Sequence, residues 1–342
     1  MAKTVVLGMS GGIDSSMAAY ILTKDRYRVF GVTFLLHDQQ DQKKLQQLED
    51  FAKKIGVKHE VIDLREEFKK RVIEYVVNSY FKGETPNPCA VCNKSVKFRY
   101  LIEELNKIGA NFVATGHYVR LMKRESEILL QMGRDRAKSQ EYFLARVEKE
   151  QLEKALFPLG DWKKRNIRKY AQALGFDFFG EESQEMCFIP EGVKYYEYIL
   201  QNYPGDYSGK IRDLDGKIVG KHDCYFKFTI GQRQGLGVSG KHPYYVIKID
   251  AENRDIIVGD KKDTKKDEFY VRDVYWYKEM PFDTMKFLVK IRYNHPGEMA
   301  VVKQLVGNRC LVKFEKPQRA ITPGQLAVFY MGEFVIGSGW IE

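Results

Sequence analysis

Gly8-Met9-Ser10-Gly11-Gly12-Ile13-Asp14-Ser15-Ser16 follows the apolar run Thr4-Val5-Val6-Leu7 and leads into Met17-Ala18-Ala19-Tyr20-Ile21-Leu22, a stretch of helical character. A strand, a glycine-rich turn and a helix make an anion seat. The glycines let the backbone turn tightly, so that successive N–H groups and the positive end of the helix converge on one volume that suits a phosphate. Ser10, Ser15 and Ser16 add hydroxyls. The stretch lacks the Gly-Lys-Ser/Thr ending of the commonest phosphate loop and the G-x-G-x-x-G spacing of a dinucleotide turn. An isolated Ser-Gly-Gly is more often an unliganded turn, but this one closes the first strand of an alternating pattern, where open α/β sheets bind their ligands. Asp14 is then the expected partner of a Mg2+ on the phosphates, because hard cations take carboxylate and phosphate oxygens together.

Outward from this loop, segments of strand and helix length alternate: strands at 4–7, 28–34, 58–63 and 112–115, helices to 24 and at 42–55, 66–80 and 95–108. Such alternation predicts an α/β fold with a parallel sheet covered by helices on both faces. The break at 81–93 contains Pro86-Asn87-Pro88 and is expected as a loop; it carries Cys89 and Cys92. The strand at 112–115 ends in Gly116-His117, a second carboxyl strand end, which favours substrate contact by His117 over a purely structural role. Two short strands at 119–123 and 128–132 precede Lys138-Ser139-Gln140, and helices at 148–156 and 162–174 lead to Ser183-Gln184-Glu185-Met186-Cys187-Phe188. After a helix at 194–202, β-branched and aromatic runs take over, punctuated by Asp-Gly, Pro-Gly and glycine-rich turns. Tyr203-Pro204-Gly205-Asp206 reads as the linker. The expected domains are 1–204, nucleotide-binding and catalytic, and two small β domains of barrel type, 205–262 and 263–342.

Composition narrows the class. The 342 residues are 44% hydrophobic and 30% charged, and no apolar run approaches the ~20 residues of a membrane span. The apolar start is too short for a secretory signal, which points to a cytoplasmic protein without membrane attachment. A net charge of +10 suits a polyanionic partner, and because the lysines and arginines are scattered, any nucleic-acid surface must be assembled by folding. Five cysteines, an odd number, argue against a disulfide framework and toward metal-binding, catalytic or buried thiols.

Ser-Gly-Gly-x-Asp-Ser after an N-terminal strand resembles the pyrophosphate (PP) loop of the ATP pyrophosphatases, whose fold is adenine nucleotide α-hydrolase-like. Further motifs occur in one order: Thr85-Pro86-Asn87-Pro88-x-x-x-Cys92-Asn93-Lys94-x-x-Lys97-Phe98, Thr115-Gly116-His117-Tyr118, Lys138-Ser139-Gln140, Cys187-Phe188-Ile189, Thr229-Ile230-Gly231-Gln232-Arg233-x-Gly235-Leu236-Gly237 and Pro317-Gln318-Arg319-Ala320-x-Thr322-Pro323-Gly324-Gln325. That set resembles the bacterial tRNA-specific 2-thiouridylases over nearly the whole chain.

The resemblance implies that ATP adenylates the 2-oxygen of the wobble uridine in the anticodon stem-loop of tRNA, and that sulfur then replaces the oxygen. AMP and pyrophosphate leave. It implies ATP contacts at Gly8, Met9, Ser10, Gly11, Gly12, Asp14, Ser15, Phe34 and Gly116, and tRNA contacts at Asn87, Pro88, His117, Lys138, Ser139, Gln140, Arg292, Tyr293 and Gln325. It also implies a persulfide on Cys187 that Cys92 resolves by disulfide formation, with sulfur arriving from a cysteine desulfurase or a sulfur relay protein. Loss of the side chain at Asp14 or Ser10 should stop adenylation and leave the fold intact.

Four departures stand out. Phe34 replaces a common Met and keeps an apolar wall for adenine; Cys224 replaces a common Gly and Asn294-His295 part of a more basic stretch; Cys224 and Cys310 read as buried thiols. Cys89 stands where relatives carry an aspartate that acts as acid/base. Two routes stay open at this point. Cys89, Cys92 and Cys187 could hold a 4Fe-4S cluster by three thiolates, leaving one iron open, as related sulfur-inserting enzymes do; or Cys187 and Cys92 could work by persulfide and disulfide alone. The competing function classes are a PP-loop amidating synthetase acting on a small molecule, which would leave the cysteines idle, and a non-catalytic RNA-binding protein, which the intact loop disfavours.

Overall fold

The computed structural model describes residues 2–38, 42–124, 127–176, 186–238 and 242–342. Ser183, Gln184 and Glu185 lie outside them. Two compact units divide the chain, one of 1–73, 88–190 and 333–336, the other of 74–87, 191–332 and 337–342.

In the first unit, β1 (Thr4–Gly8), β2 (Arg28–Leu35), β3 (Lys58–Asp63) and β4 (Phe112–Ala114) pair in parallel in the order β3-β2-β1-β4. Central β1 is covered on both faces, so Val5, Val6 and Leu7 are fully buried and read as a continuous apolar run. The chain leaves β1 for β2 and β3 on one side and returns to β4 on the other. The carboxyl end of β1 is therefore the topological switch point, where a crevice opens. Helix α1 (Ile13–Lys24) follows at once and buries Met17, Ala18, Ala19 and Leu22 against the sheet.

Two expectations about this unit need correction. The helix expected over 148–156 stops at Glu153, and Ala155–Leu156 joins β4 as a fifth parallel strand, too short to show any periodicity. The break at 81–93 is not loop throughout: Pro88–Cys92 is a helical turn that runs through a π-helical turn, Asn93–Phe98, into the helix Arg99–Ile108. Pro88 opens the turn at its first position, where the missing N–H costs no bond. Gly109 closes the helix in the left-handed region at φ 64°. An antiparallel hairpin, Val119–Arg124 with Glu127–Met132, completes the unit.

In the second unit, strands Tyr245–Asp250, Asp255–Gly259, Gly209–Arg212 and Ile218–His222 form a four-stranded sheet in that spatial order. Six further strands close a barrel. Lys265–Trp276 pairs with Arg309–Arg319 on one side and, through Val271↔Ile341 and Trp276↔Gly337, with the C-terminal strand on the other. Its core stacks Trp276 on Phe329 with centroids 5.2 Å apart, and Cys310 is fully buried there, as Cys224 is in its own segment. Among the described residues no helix is long and apolar enough to cross a membrane.

Candidate active site

The loop after β1 is braced from within. Gly11 takes φ 79°, which a side chain would resist, and Gly12 caps α1 in extended conformation. Ser15 accepts the Ser10 N–H at 3.1 Å and donates its hydroxyl to the Gly12 carbonyl at 3.1 Å. That hydroxyl proton is committed to the loop, whereas the exposed Ser10 hydroxyl can turn to a ligand. Below the loop, the Thr33 hydroxyl donates to the Met9 carbonyl at 2.7 Å and so accepts from His59 Nε2 at 2.8 Å.

Gly116 crosses directly over the first turn of α1. A Cβ there would lie 2.8 Å from the Asp14 carbonyl carbon and 2.8 Å from the Ser15 nitrogen, so only glycine fits. Phe34, nearly buried close to the end of β2, meets Tyr100 edge to face at 6.4 Å and gives the crevice one apolar wall.

Asp14 is already engaged. Its Oδ1 accepts from the Tyr118 hydroxyl at 2.7 Å and its Oδ2 from Lys164 Nζ at 2.9 Å, and the Lys164 side chain is only 9% exposed. Asp14 thus has a structural contact as well as a place in the loop: its loss removes the carboxylate that faces the nearly buried Lys164 ammonium. One ion-paired carboxylate is a thin donor set for Mg2+. It fits a cation that arrives on ATP and keeps phosphate and water oxygens as its other ligands.

The second cluster is thiol. Cys89 and Cys92 stand three residues apart on Pro88–Cys92, hence on one face of the helical turn. Cys92 is buried, and burial pushes its thiol up to about 12. Cys89 and Cys187 keep exposed faces, yet desolvation raises both. Cys187 sits in a tight turn, Ile189 N–H to Met186 carbonyl at 3.0 Å, anchored by buried Phe188 edge-on to Phe68. Lys97 lies among them. Burial works against its charge, but the neighbouring Cys92, Cys89 and Cys187, in that order, hold its pKa above the ordinary value. Burial, with the Lys97 ammonium beside it, pushes His117 down to about 3. The ring is therefore neutral at physiological pH, with Nδ1 2.8 Å from the Thr115 hydroxyl. It suits a base edge better than a phosphate.

The structure thus gathers Cys89, Cys92, Cys187 and His117 around a lysine, next to the Gly116 strand end. As a metal site the thiols do not yet fit: among the described residues no group of three or more His, Cys, Asp or Glu side chains is placed to hold an ion. Of Lys138-Ser139-Gln140, only Lys138 is exposed. Ser139 is buried and donates to Glu141, and Gln140 Oε1 accepts the Tyr118 N–H at 2.9 Å. Gln140 positions Tyr118, and through it Asp14, whereas Ser139 accepts the Gly133 N–H at 2.7 Å. In the second unit, Gln325 Nε2 donates to the Thr85 and Pro86 carbonyls, both at 3.1 Å, Asn87 is buried, and Arg292 is exposed with one N–H on the Arg319 carbonyl at 3.2 Å.

Lys97, Tyr118 and Lys164 were not legible as functional. Lys97 and Tyr118 stand inside motifs without a role of their own, and Trp162-Lys163-Lys164-Arg165 reads as a solvated charge run.

Comparison with known proteins matches three family models in succession. A tRNA methyl transferase HUP domain covers residues 3–191, a tRNA methyl transferase PRC-barrel domain 197–260 and an aminomethyltransferase beta-barrel domain 266–341. The chain is 40% identical to a tRNA-specific 2-thiouridylase of Thermoanaerobacter sp. (strain X514), with 99% of this chain and 97% of the relative covered. It is 37% identical to a tRNA-specific 2-thiouridylase of Geobacter metallireducens and 40% identical to one of Rickettsia peacockii, at 99% of this chain and 97% and 96% of those proteins.

Proposed function

The chain belongs to the tRNA-specific 2-thiouridylases, and from that membership we propose how its own residues do the work. It is a tRNA 2-thiouridylase, a sulfurtransferase. One observation carries the assignment of parts: the sheet's carboxyl edge bears both the loop at Ser10–Ser15 and Gly116-His117, and His117 shares the electrostatic surroundings of Lys97 with all three thiols. Methyl transfer, suggested by the wording of two family models, would leave that loop and those thiols without a task.

In our reading ATP lies on residues 8–15 with its adenine toward Phe34, and Mg2+ comes with the phosphates. The 2-oxygen of the wobble uridine attacks the α-phosphorus, forming an O–P bond and expelling pyrophosphate; Lys164 and the amides of the loop offset the charge that gathers there. Neutral His117 and the segment at Asn87–Pro88 hold the base, and Arg292, Tyr293 and Gln325 hold other parts of the tRNA. The terminal sulfur of a Cys187 persulfide bonds to C2, and AMP leaves with the oxygen. Cys92 thiolate then attacks Cys187 Sγ, the persulfide S–S bond breaks, and its electron pair stays on the sulfur now attached to the base. The Cys92–Cys187 disulfide needs an external thiol reductant, and a cytoplasmic sulfur-relay protein reloads Cys187. Residues 1–204 form the catalytic part, and 205–262 and 263–342 the RNA-facing β domains. The test is tRNA-dependent release of AMP with one 2-thiouridine per AMP. Release driven by a small acid without tRNA, or no release, would refute it.

A second reading, a 4Fe-4S cluster on Cys89, Cys92 and Cys187, rests on the family resemblance and the cysteine spacing, since the thiols as placed do not fit a metal. Cys89→Ser separates the two. The cluster requires that this variant lose both bound iron and thiolation; the persulfide route predicts a variant with near-normal thiolation, checked by iron analysis of anaerobically purified protein beside the tRNA assay.

Asp14→Ala is expected to stop AMP release and to lower stability by about 3 kcal/mol, since it removes the carboxylate that faces nearly buried Lys164 and accepts from Tyr118. Asp14→Asn can still accept from Tyr118 and should lose activity with a smaller drop, read by urea denaturation. Wild-type stability in Asp14→Ala would count against a stabilising Asp14–Lys164 pair.

A further inference from the structure

Asn87-Pro88, which our reading places against the target base, ends a segment poor in backbone donors, because Pro86 and Pro88 carry no N–H. Other residues must hold it in place. The stretch 74–87 belongs to the second unit, although in sequence it is inserted between 73 and 88 of the first. Barrel residues grip it almost residue by residue. Thr85 N–H donates to the Pro323 carbonyl at 2.8 Å, and Gln325 Nε2 spans the Thr85 and Pro86 carbonyls. Between Pro323 and Gln325, Gly324 comes so close that a Cβ would stand 2.8 Å from Glu84 Cβ and 2.9 Å from the Thr85 oxygen. At the far end the Asn87 N–H meets the Tyr75 hydroxyl at 3.4 Å, and the Tyr75 ring packs on Trp340 with centroids 5.9 Å apart.

Arg272 grips the same segment by charge. Its Nη2 donates to both oxygens of Glu84, at 2.8 and 2.9 Å, and the Arg272 and Glu84 side chains are 36% and 21% exposed. Partly shielded from water, the pair keeps more of its attraction than one on an open surface. The strand that bears Arg272, Lys265–Trp276, is irregular beside it: pairing with the C-terminal strand shifts register between Arg272 and Tyr275, and Asp273 there takes φ 51°. A bulge of this kind re-aims a side chain, and a non-glycine residue at positive φ is kept only where its surroundings impose it. Asp273 itself lies 3.7 Å from Arg272 Nη1, which leaves Nη2 to Glu84.

We propose that Arg272 is a positioning residue for adenylation: through Glu84 it sets the segment 84–87, and so the place where Asn87-Pro88 receives the target base and where the turn carrying Cys89 and Cys92 begins. The proposal rests on the tRNA reading above. Pro86 and Pro88 fix φ on either side of Asn87, so a shift of the segment passes into the thiol turn with little to absorb it. Arg272 needs no contact with ATP or the base for this role. A phosphate contact is the rival role for a partly exposed arginine. Against it, the Glu84 carboxylate already neutralises the guanidinium and would repel a phosphate at the same place.

A double-mutant cycle on the full chain, with a tRNA transcript and ATP, tests this by single-turnover pyrophosphate release. R272A and E84A should each slow release about tenfold to a hundredfold, since a displacement on the order of 1 Å costs roughly 100-fold. R272A/E84A should lie within about threefold of either single variant, because each change removes the same interaction. Affinities for tRNA and ATP should stay within about threefold of wild type, so that the loss falls on the rate and not on binding. The melting temperature should move by no more than about 4 °C, as partly exposed pairs stabilise little. R272K, whose ammonium can reach both Glu84 oxygens, should recover most of the rate. If R272A does not fold, E84Q, equal in volume and uncharged, carries the same prediction. Unchanged pyrophosphate release in R272A and E84A overturns the proposal. Losses that multiply in the double variant also overturn it, since they mark two separate tasks. So does a loss in R272A alone that appears as weaker tRNA binding with a salt slope shallower by about 0.7, the mark of a phosphate contact. Wild-type protein that gives no tRNA-dependent pyrophosphate release fails the parent reading before any variant is made.

Discussion

Cys187→Ser and Cys92→Ser are each expected to lower thiolation at least about a thousandfold, the scale on which loss of a covalent nucleophile is felt. Adenylation should survive both changes, because the loop at Ser10–Ser15 and Asp14 make no bond to either thiol. With Cys187→Ser the expected signature is a burst of pyrophosphate, about one per enzyme, with AMP retained on the RNA. With Cys92→Ser the sulfur reaches C2 but stays tethered to Cys187, so a covalent protein–tRNA species should accumulate and release on addition of a thiol. The two cysteines should also differ at rest. Burial holds Cys92 near 12, leaving fewer than about one thiolate per thousand molecules at neutral pH, whereas Cys187 is exposed. Iodoacetamide should label Cys187 first. Full thiolation by either variant would remove the persulfide route.

Gly116→Ala is the second large effect. A methyl at this position meets backbone, at 2.8 Å from both the Asp14 carbonyl carbon and the Ser15 nitrogen, and backbone cannot swing aside as a side-chain tip can. Either β4 withdraws from α1 or the loop tilts. A displacement on the order of 1 Å in a reacting group costs roughly 100-fold in rate, so AMP release should fall by at least that factor, with a stability loss of about 1–3 kcal/mol from overpacking. Isothermal titration with ATP and urea denaturation measure the two parts. Normal ATP affinity in a folded Gly116→Ala protein would mean that nucleotide does not lie on the first turn of α1.

Much of this architecture is legible because the relevant signals are local. The β1 run Val5-Val6-Leu7 and the glycines behind it announce a buried parallel strand and a tight turn within a dozen residues. The barrel strands show themselves by alternation, as in Thr284–Lys290, which buries Phe287 and Val289. What escapes has no local signal. Ala155–Leu156 is a strand only because β4 lies beside it. Pro86-Asn87-Pro88 reads as a breaker, yet Pro88 starts a helix, because proline ends one helix and opens another equally well. Lys164 and Tyr118 acquire their meaning from Asp14, which lies 150 and 104 residues away. Ser139 and Gln140 illustrate the reverse: the motif marks them, while the Ser139 side chain holds the Gly133 N–H and that of Gln140 the Tyr118 N–H.

The π-helical turn at Asn93–Phe98 has a consequence for chain length. In a straight α-helix Cys92 and Lys97, five residues apart, would point about 140° away from each other, since each residue turns about 100°. The wider turn absorbs one residue and brings them back toward a common side. Substitution cannot reproduce that; only a change in residue number can. Deleting one residue between them would leave four, about 40° apart on an ordinary α-helix, whereas adding one would leave six, about 120° apart. A single-codon deletion in this stretch should therefore be borne far better than a single-codon insertion, and homologous chains one residue shorter here should be straight where this one bulges.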